Sequence, residues 1–248
     1  MERVELHFHL LPGVDDGPGD LASALDLARE AAGDGTGLIT CTPHARDAAV
    51  EDIPQRTAAL RAALAAAGID LEIRPGVELA WDDVADLDDA TLDTLAQGPP
   101  GARWVLLEAP LPGTGTLQDF EASARELRER AFGLLIGHPE RSPVVTSAPG
   151  AVDRLLAAGD RLQLNASSLT GYHGAVAQTF GLDLARSGRA SVIASDAHAP
   201  RSRGASLGRA VDVLRRHGMP AARAEAMVAA TPRALVDHGI AVARRLAA

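Results

Sequence analysis

The sequence predicts an α/β fold in which one domain closes a parallel sheet into a barrel. Two observations predict it. Short apolar runs alternate with amphipathic stretches along all 248 residues, with no linker-like segment between them, which is the pattern of successive βα units. Each apolar run also delivers a polar residue at its C-terminal end, whereas an open doubly wound sheet would gather its site at a single crevice.

The elements follow in order. A strand over 3–9 ends in His7 and His9; positions i and i+2 of a strand share a face, so both rings aim at one spot. The turn that follows, within HFHLLPGVDDG, carries Asp15 and Asp16, either of which could face inward, before a helix over 20–33. A strand over 37–42 runs into TPH with His44, and a helix over 53–67 follows. A strand over 71–77 leads through PGVEL to Glu78, then a shorter helix over 91–97. The strand over 104–108 ends in Glu108 and precedes a helix over 117–131. The strand over 133–137 opens into GHPER with His138 and Arg141, ahead of a helix over 152–158. The strand over 161–164 opens into NASS with Asn165, ahead of a helix over 172–187. The strand over 191–194 opens into SDAH with Asp196 and His198, and helices over 205–217, 221–230 and 232–237 close the chain. The Gly- and Pro-rich stretches QGPPGAR and APLPGTGT punctuate these units and do not divide domains.

Composition removes whole classes of chemistry. A net charge of −9 with no basic stripe argues against nucleic acid as a partner. No apolar run approaches the roughly 18 residues of a membrane helix, and the N-terminus enters a strand directly, so a soluble cytoplasmic protein with no membrane insertion is expected. One cysteine, Cys41, excludes an internal disulfide and a multi-cysteine zinc site. All 24 basic residues are arginine, which removes lysine Schiff bases, lysine-containing phosphate loops and carboxylated-lysine metal bridges.

Five of the eight histidines, with Glu78, Glu108 and Asp196, fall at strand C-termini, while His173, His217 and His238 lie elsewhere. Imidazole and carboxylate oxygen together suit Mn, Fe, Zn or Co better than Mg or Ca. Closely spaced ions acidify a water and neutralise an anionic substrate, and Arg141 and Arg203 could hold phosphate oxygens bidentately. The expected activity is hydrolysis of a phosphate ester or similar group. CTPHAR is no thiolate phosphatase loop, because only four residues separate Cys41 from Arg46 where that motif has five; Cys41 reads as core. Trp81 and Trp104 read as packing or loop anchors, and Ser167 and Ser168 lack a His/Asp relay that would make a nucleophile.

The ordered series HFH…DDG, TPH, GVEL, HPER, NASS and SDAH spans nearly the full chain and resembles the PHP (polymerase and histidinol phosphatase) superfamily. Within it, LLPGVDDG, HPER and SDAH with a downstream arginine are similar to the bacterial CpsB/CapC-type manganese-dependent protein-tyrosine phosphatases of capsule and exopolysaccharide operons. The resemblance implies a distorted seven-stranded (β/α)7 TIM-like barrel, a single domain over 1–248, holding two to three divalent transition-metal ions. It places His7, His9, Glu78 and Asp196 on a first ion, Glu78, Glu108 and His138 on a second, and Asp16, His44 and His198 on a third, with Glu78 bridging. Arg141 and Arg203 match its substrate-binding arginines, and Arg201 is the nearby rival of Arg203. Two positions depart from the pattern: Glu5 stands where aspartate is expected, and APLPGTGT is unusually rich in Gly and Pro and is expected to line the entrance.

The implied function is removal of phosphate from tyrosines of a polysaccharide-regulating kinase, by metal-hydroxide attack without a phospho-enzyme. A small-molecule phosphoesterase acting on histidinol phosphate or a nucleotide is the nearest alternative. Amidohydrolase chemistry, and a metal-binding regulatory module without catalysis, lie further off.

Overall fold

The computed structural model describes residues 1–200 and 203–242; Arg201 lies outside the described residues. Among the described residues, eight parallel strands form two sheets. β1 (Arg3–Phe8), β2 (Thr36–Cys41) and β3 (Glu72–Pro75) make the first, in that order. β4 (Glu78–Leu79), β5 (Trp104–Glu108), β6 (Gly133–Gly137), β7 (Arg161–Asn165) and β8 (Val192–Ala194) make the second. Sequence order equals spatial order in both, as βαβ units with short connections dictate.

The strand expected over 71–77 is observed as β3 over Glu72–Pro75, and a short further strand, β4, follows it at Glu78–Leu79. Pro75 has no N–H to give a ladder, and at Gly76 a Cβ would sit 2.5 Å from Thr40 Cγ2. The chain therefore bends against β2 there and resumes pairing one strand further on. Two sets of contacts join the sheets at the C-terminal ends of their strands. Glu78 N donates to Pro43 O at 3.0 Å, and His9 N donates to Ala197 O at 3.0 Å. At the other end Met227 and Val228 stand between β8 and β1, accepting from Ile193 N and Val4 N respectively.

Alternation along the strands sorts their side chains into two clusters. Val105, Leu107, Leu134, Ile136, Leu162, Leu164 and Ile193 join the larger one, together with apolar residues of the surrounding helices. Val4, Leu6, Leu38, Trp104, Leu106, Leu135 and Val192 form a smaller one, completed by Leu235, Val236 and Ile240. The last helix (Ala230–His238) thus covers the ends where the strands begin: Trp104 Nε1 donates to Leu235 O at 2.8 Å, and Ile240 N to Ala102 O at 2.9 Å.

The long helices form where periodicity places them, at Leu21–Gly33, Ile53–Ala66, Leu117–Glu129, Gly174–Ser187 and Leu207–Arg216. Asp20 and Thr116 cap the first and third by accepting from Ser23 N and Asp119 N, filling donors that a helix start leaves free. Single-turn helices at Pro143–Thr146 and Ala166–Leu169 are additions, too short to leave an apolar period.

Candidate metal centre

His7 and His9 enter from β1 with their Nε2 atoms 3.4 Å apart. Glu78 at the start of β4 sets Oε1 3.1 Å from His7 Nε2 and Oε2 3.2 Å from His9 Nε2. Asp196, just beyond β8, sets Oδ1 3.3 Å from His7 Nε2 and 3.4 Å from His9 Nε2. Ligand atoms each about 2.1 Å from one ion stand roughly 3.0–3.4 Å from each other at octahedral or tetrahedral angles, and these separations match the edges of such a polyhedron.

The other expected residues extend this cluster. His138 Nε2 lies 3.3 Å from Glu78 Oε1 and 3.6 Å from Glu108 Oε1. Asp16 Oδ1 lies 3.0 Å from His198 Nε2 and 3.4 Å from His44 Nε2, and His44 Nδ1 lies 3.0 Å from Glu78 Oε2. Three overlapping sets of donors result: His9, Asp16, His44 and His198; His7, Glu78 and His138; and His7, His9 and Asp196. Glu108 is close but stands outside all three.

The chemistry of the donors fits divalent metal. Glu78 Oε2 and His138 Nδ1 are buried without a hydrogen-bond partner, although Oε2 has two imidazole nitrogens within 3.2 Å. Buried polar atoms ordinarily find partners, and atoms crowded toward a common point without hydrogen-bond geometry suit a shared cation. The backbone tells the same story. His138 and Asp196 have φ of 32° and 53°, the left-handed region that side chains with a Cβ seldom adopt, and each turns its side chain inward at the end of a strand.

Charge is finely divided here. Burial opposes ionisation of Glu78 and Asp196, but imidazoles led by His7 hold both well below the usual carboxylate range. Against the same burial penalty, Asp15, Asp196 and Glu78 hold His9 well above its usual value, and Asp16 and Glu78 raise His44 to about 10. Glu108 is pushed up to about 8, by burial first and by the charge of Glu78 second. Burial and the Arg141 guanidinium bring His138 down to about 4. The protons on His9 and His44 balance carboxylate charge, the task a divalent ion performs when it binds neutral imidazole.

Both arginines reach into the cluster. Arg141 Nη1 donates to Asp196 Oδ2 at 2.7 Å. Arg203 donates to Asp16 Oδ2 at 2.9 Å and to His198 Nε2 at 3.0 Å.

Several supporting residues were not singled out from sequence as ligand-orienting groups. Asp15 accepts from His9 Nδ1 at 2.6 Å and from His44 N at 3.1 Å, so the two adjacent carboxylates divide their work: Asp16 faces the donors, and Asp15 orients a ring from behind. Gln163 Oε1 lies 3.1 Å from His7 Nδ1. Asn165 Nδ2 donates to Asp196 Oδ2 at 2.8 Å, and Glu140 accepts from Asn165 N at 2.9 Å. Buried Glu5, raised to about 8 by desolvation, accepts from Ser195 N at 2.9 Å and ties β1 to the end of β8. Only period-2 alternation could have pointed to Gln163, which shares a strand face with Asn165.

Cys41 is buried, with its thiol pushed up to about 12. Trp81 donates to Thr114 O at 2.7 Å, anchoring the 109–116 loop. That loop does not line the cavity beside Asp196, whose walls come from Glu30 of the first long helix and from the ends of β7 and β8 and the segments after them. Ser167 Oγ lies 2.8 Å from His173 Nε2, an imidazole with no carboxylate bonded to it among the described residues, which is not a His/Asp relay. The Ser167 hydroxyl also lies 2.7 Å from Asn165 Oδ1.

Residues 3–237 match the family described as "Capsular polysaccharide synthesis, CpsB/CapC". The chain belongs to the CpsB/CapC family. Among relatives in that family's circle, the tyrosine-protein phosphatase YwqE of Bacillus subtilis (strain 168) is 29% identical over 215 residues, covering 85% of this chain and 83% of YwqE. CapC of Staphylococcus aureus is 28% identical over 209 residues, covering 81% and 78% of the two chains. Among solved structures, one from work on YwqE of Bacillus subtilis and CpsB of Streptococcus pneumoniae, metal-dependent tyrosine phosphatases, matches with a TM-score of 0.75. It is 24% identical and covers 98% of this chain and 100% of that one. At that identity the likeness speaks for the CpsB/CapC fold.

Proposed function

We propose that this chain is a metal-dependent phosphatase that hydrolyses phosphotyrosine on protein, with a polysaccharide-regulating tyrosine kinase as its partner. The observation that carries the reading is the convergence of two arginine side chains on three overlapping sets of imidazole and carboxylate donors. Membership of a capsule-synthesis family and the activity named for YwqE support it. A cytoplasmic setting goes with it, because the kinase reaction that makes phosphotyrosine consumes intracellular nucleoside triphosphate. None of the described helices is long and apolar enough to cross a membrane.

In this reading the chain is a single PHP-type domain over 1–248, its two sheets together forming a distorted seven-stranded (β/α)7 TIM-like barrel with the β3–β4 run as one broken strand. His7, His9, Glu78 and Asp196 would hold one ion, Glu78, Glu108 and His138 a second, and Asp16, His44 and His198 a third, Mn being the preferred metal. Ions bound there supply positive charge to a phosphate and acidify a water. Glu78 spans two of the sets with its two oxygens. Asp15, Gln163 and Asn165 keep His9, His7 and Asp196 in one orientation, so that no reorganisation is needed when substrate arrives. Arg141 and Arg203 exchange their carboxylate contacts for phosphate oxygens, which a planar guanidinium can take two at a time.

The test is hydrolysis by the purified, Mn-supplied protein of a phosphotyrosine peptide beside histidinol phosphate. The expected result is a higher kcat/KM on the peptide, abolished by chelator, restored by Mn and retained in Cys41→Ser. A higher kcat/KM on histidinol phosphate makes the protein a small-molecule phosphoesterase. Loss of activity in a folded Cys41→Ser variant overturns the metal reading.

A further inference from the structure

Beside Asp196 lies a cavity of ≈ 150 Å³ between the segment that follows β7 and the segment that follows β8. Ser167, Thr170, Tyr172 and His173 form one wall, and Arg203 and Arg209 stand on the other, with Glu30 of the first long helix also lining the space. Its inner end is shared with the metal centre, because Asp196 and Arg203 belong to both. Whatever group is attached to a phosphate held by Arg203 has this space directly beside it. A cavity of about 150 Å³ is the size that takes one benzene ring.

The wall on the His173 side is rigid, and its polarity is settled. Asn165 gives its Nδ2 hydrogens to Asp196 Oδ2, which leaves Oδ1 as an acceptor facing Ser167 Oγ at 2.7 Å. The hydroxyl has one proton and gives it to that oxygen. His173 Nε2, 2.8 Å from the same Oγ, must then carry the hydrogen of the second bond. The ring is thereby fixed in one tautomer by a chain of contacts that begins at the metal centre. Burial, reinforced by the Arg141 guanidinium, brings His173 down to about 4, so near neutral pH the imidazole is uncharged and does not compete for phosphate. Tyr172 meets it edge-on, with centroids 5.1 Å apart at 89°. Across the cavity Arg209 has neither hydrogen bond nor ion pair among the described residues, and a guanidinium plane stacks on an aromatic face.

We propose that this cavity is the subsite for the alcohol portion of the phosphate ester, that it prefers an aromatic ring to an aliphatic chain, and that His173 sets the preference. The inference rests on the phosphatase reading for the phosphate itself and adds how a tyrosyl ester would be told from an alkyl ester. Ring-on-ring contact discriminates where charge cannot, since both kinds of ester carry the same phosphate.

The test is calorimetric binding of phenylphosphonate and methylphosphonate to the Mn-supplied full chain, which needs no turnover. The expected result is binding of phenylphosphonate about tenfold tighter, the scale of one well-placed aromatic contact plus its buried area. In His173→Ala the two ligands should bind alike, with methylphosphonate affinity and metal content unchanged, and His173→Phe should regain most of the preference. Thr170→Trp, which fills the cavity from its rim, should weaken phenylphosphonate alone and serves if His173→Ala does not fold. Equal loss of both ligands in His173→Ala, or unaltered phenylphosphonate binding in Thr170→Trp, overturns the subsite. A wild-type protein that prefers phenylphosphonate but releases no phosphate from any monoester overturns the phosphatase reading and leaves the subsite standing.

Discussion

The two ends of the same strands are built on opposite terms. Where the strands begin, Trp104, Leu106, Leu135 and Val192 close on Leu235, Val236 and Ile240, and the one polar group of Trp104 is matched to Leu235 O. Where they end, Glu78 Oε2 and His138 Nδ1 are buried without hydrogen bonds, and His138 and Asp196 hold left-handed backbone. At the first end the chain supplies its own closure, although Thr36 Oγ1 is buried there without a partner and Ala131 is left-handed. The second crowds imidazole and carboxylate atoms toward a few points with partners missing, and that density of donors, against apolar closure, is the difference between the ends. Strain and unmatched polarity are costly wherever they occur, so they gather where a ligand repays them.

The largest effect should come from breaking the polar end. Glu78→Ala removes the carboxylate that meets His7, His9, His44 and His138, and phosphatase activity should fall by roughly 10³-fold or more. Elemental analysis should show metal lost, while circular dichroism stays that of the folded chain. Retained metal with full activity would mean that the two ends do not differ as described.

The converse substitution lies at the apolar end. Trp104→Phe keeps a ring but removes the indole N–H, one of two donors to Leu235 O beside Gly239 N, so stability should drop by about 1–2 kcal/mol through the lost bond and the smaller ring. Metal content and kcat should be unchanged at temperatures where the variant is folded. A denaturant titration and a metal assay on one preparation decide it.

A smaller effect sharpens the comparison through pH. Glu5 and Glu108 rise from 4.5 to about 8 on folding, and His44 from 6.5 to about 10. Between the unfolded and folded values the native state binds more protons than the unfolded one, so stability falls as pH rises through each window. The chelated protein should therefore lose several degrees of Tm between pH 6 and pH 9, and Mn should flatten the slope by occupying neutral imidazole. A chelated protein whose Tm rises over that range would contradict the charge assignment.

Much of the polar end was legible because strand periodicity is strict: His7 and His9 two apart on β1, and an acid or an imidazole at one end of every run but the sixth, which ends in Asn165. The βα alternation was legible for the same reason. The further strand β4 after β3 was not, since Pro75 and Gly76 announce a break without saying which neighbour the chain pairs with afterwards. Asp15 and Asp16 could not be told apart in one turn, because their roles depend on which way the loop rolls over His9. Gln163 and Ser167 were invisible as supports because a glutamine within a strand and a serine in a turn have many ordinary uses. Their significance comes from contacts with residues 156 positions earlier, in the case of Gln163 and His7.

The closure of β1 against the end of β8 has a consequence in time. Ser195 N reaches Glu5 across 190 positions of sequence, and Val4 N reaches Val228 O. At ribosomal speeds of about 5–20 residues per second, the first strand waits roughly 10–40 s for that partner to be made. Contacts so distant along the chain also slow folding itself. His7 and His9 leave the ribosome early and stand open until Asp196 and His198 arrive, and the apolar end waits longer still, for Leu235, Val236 and Ile240, so a nascent chain stopped before residue 195 has the fold's beginning without its chemistry.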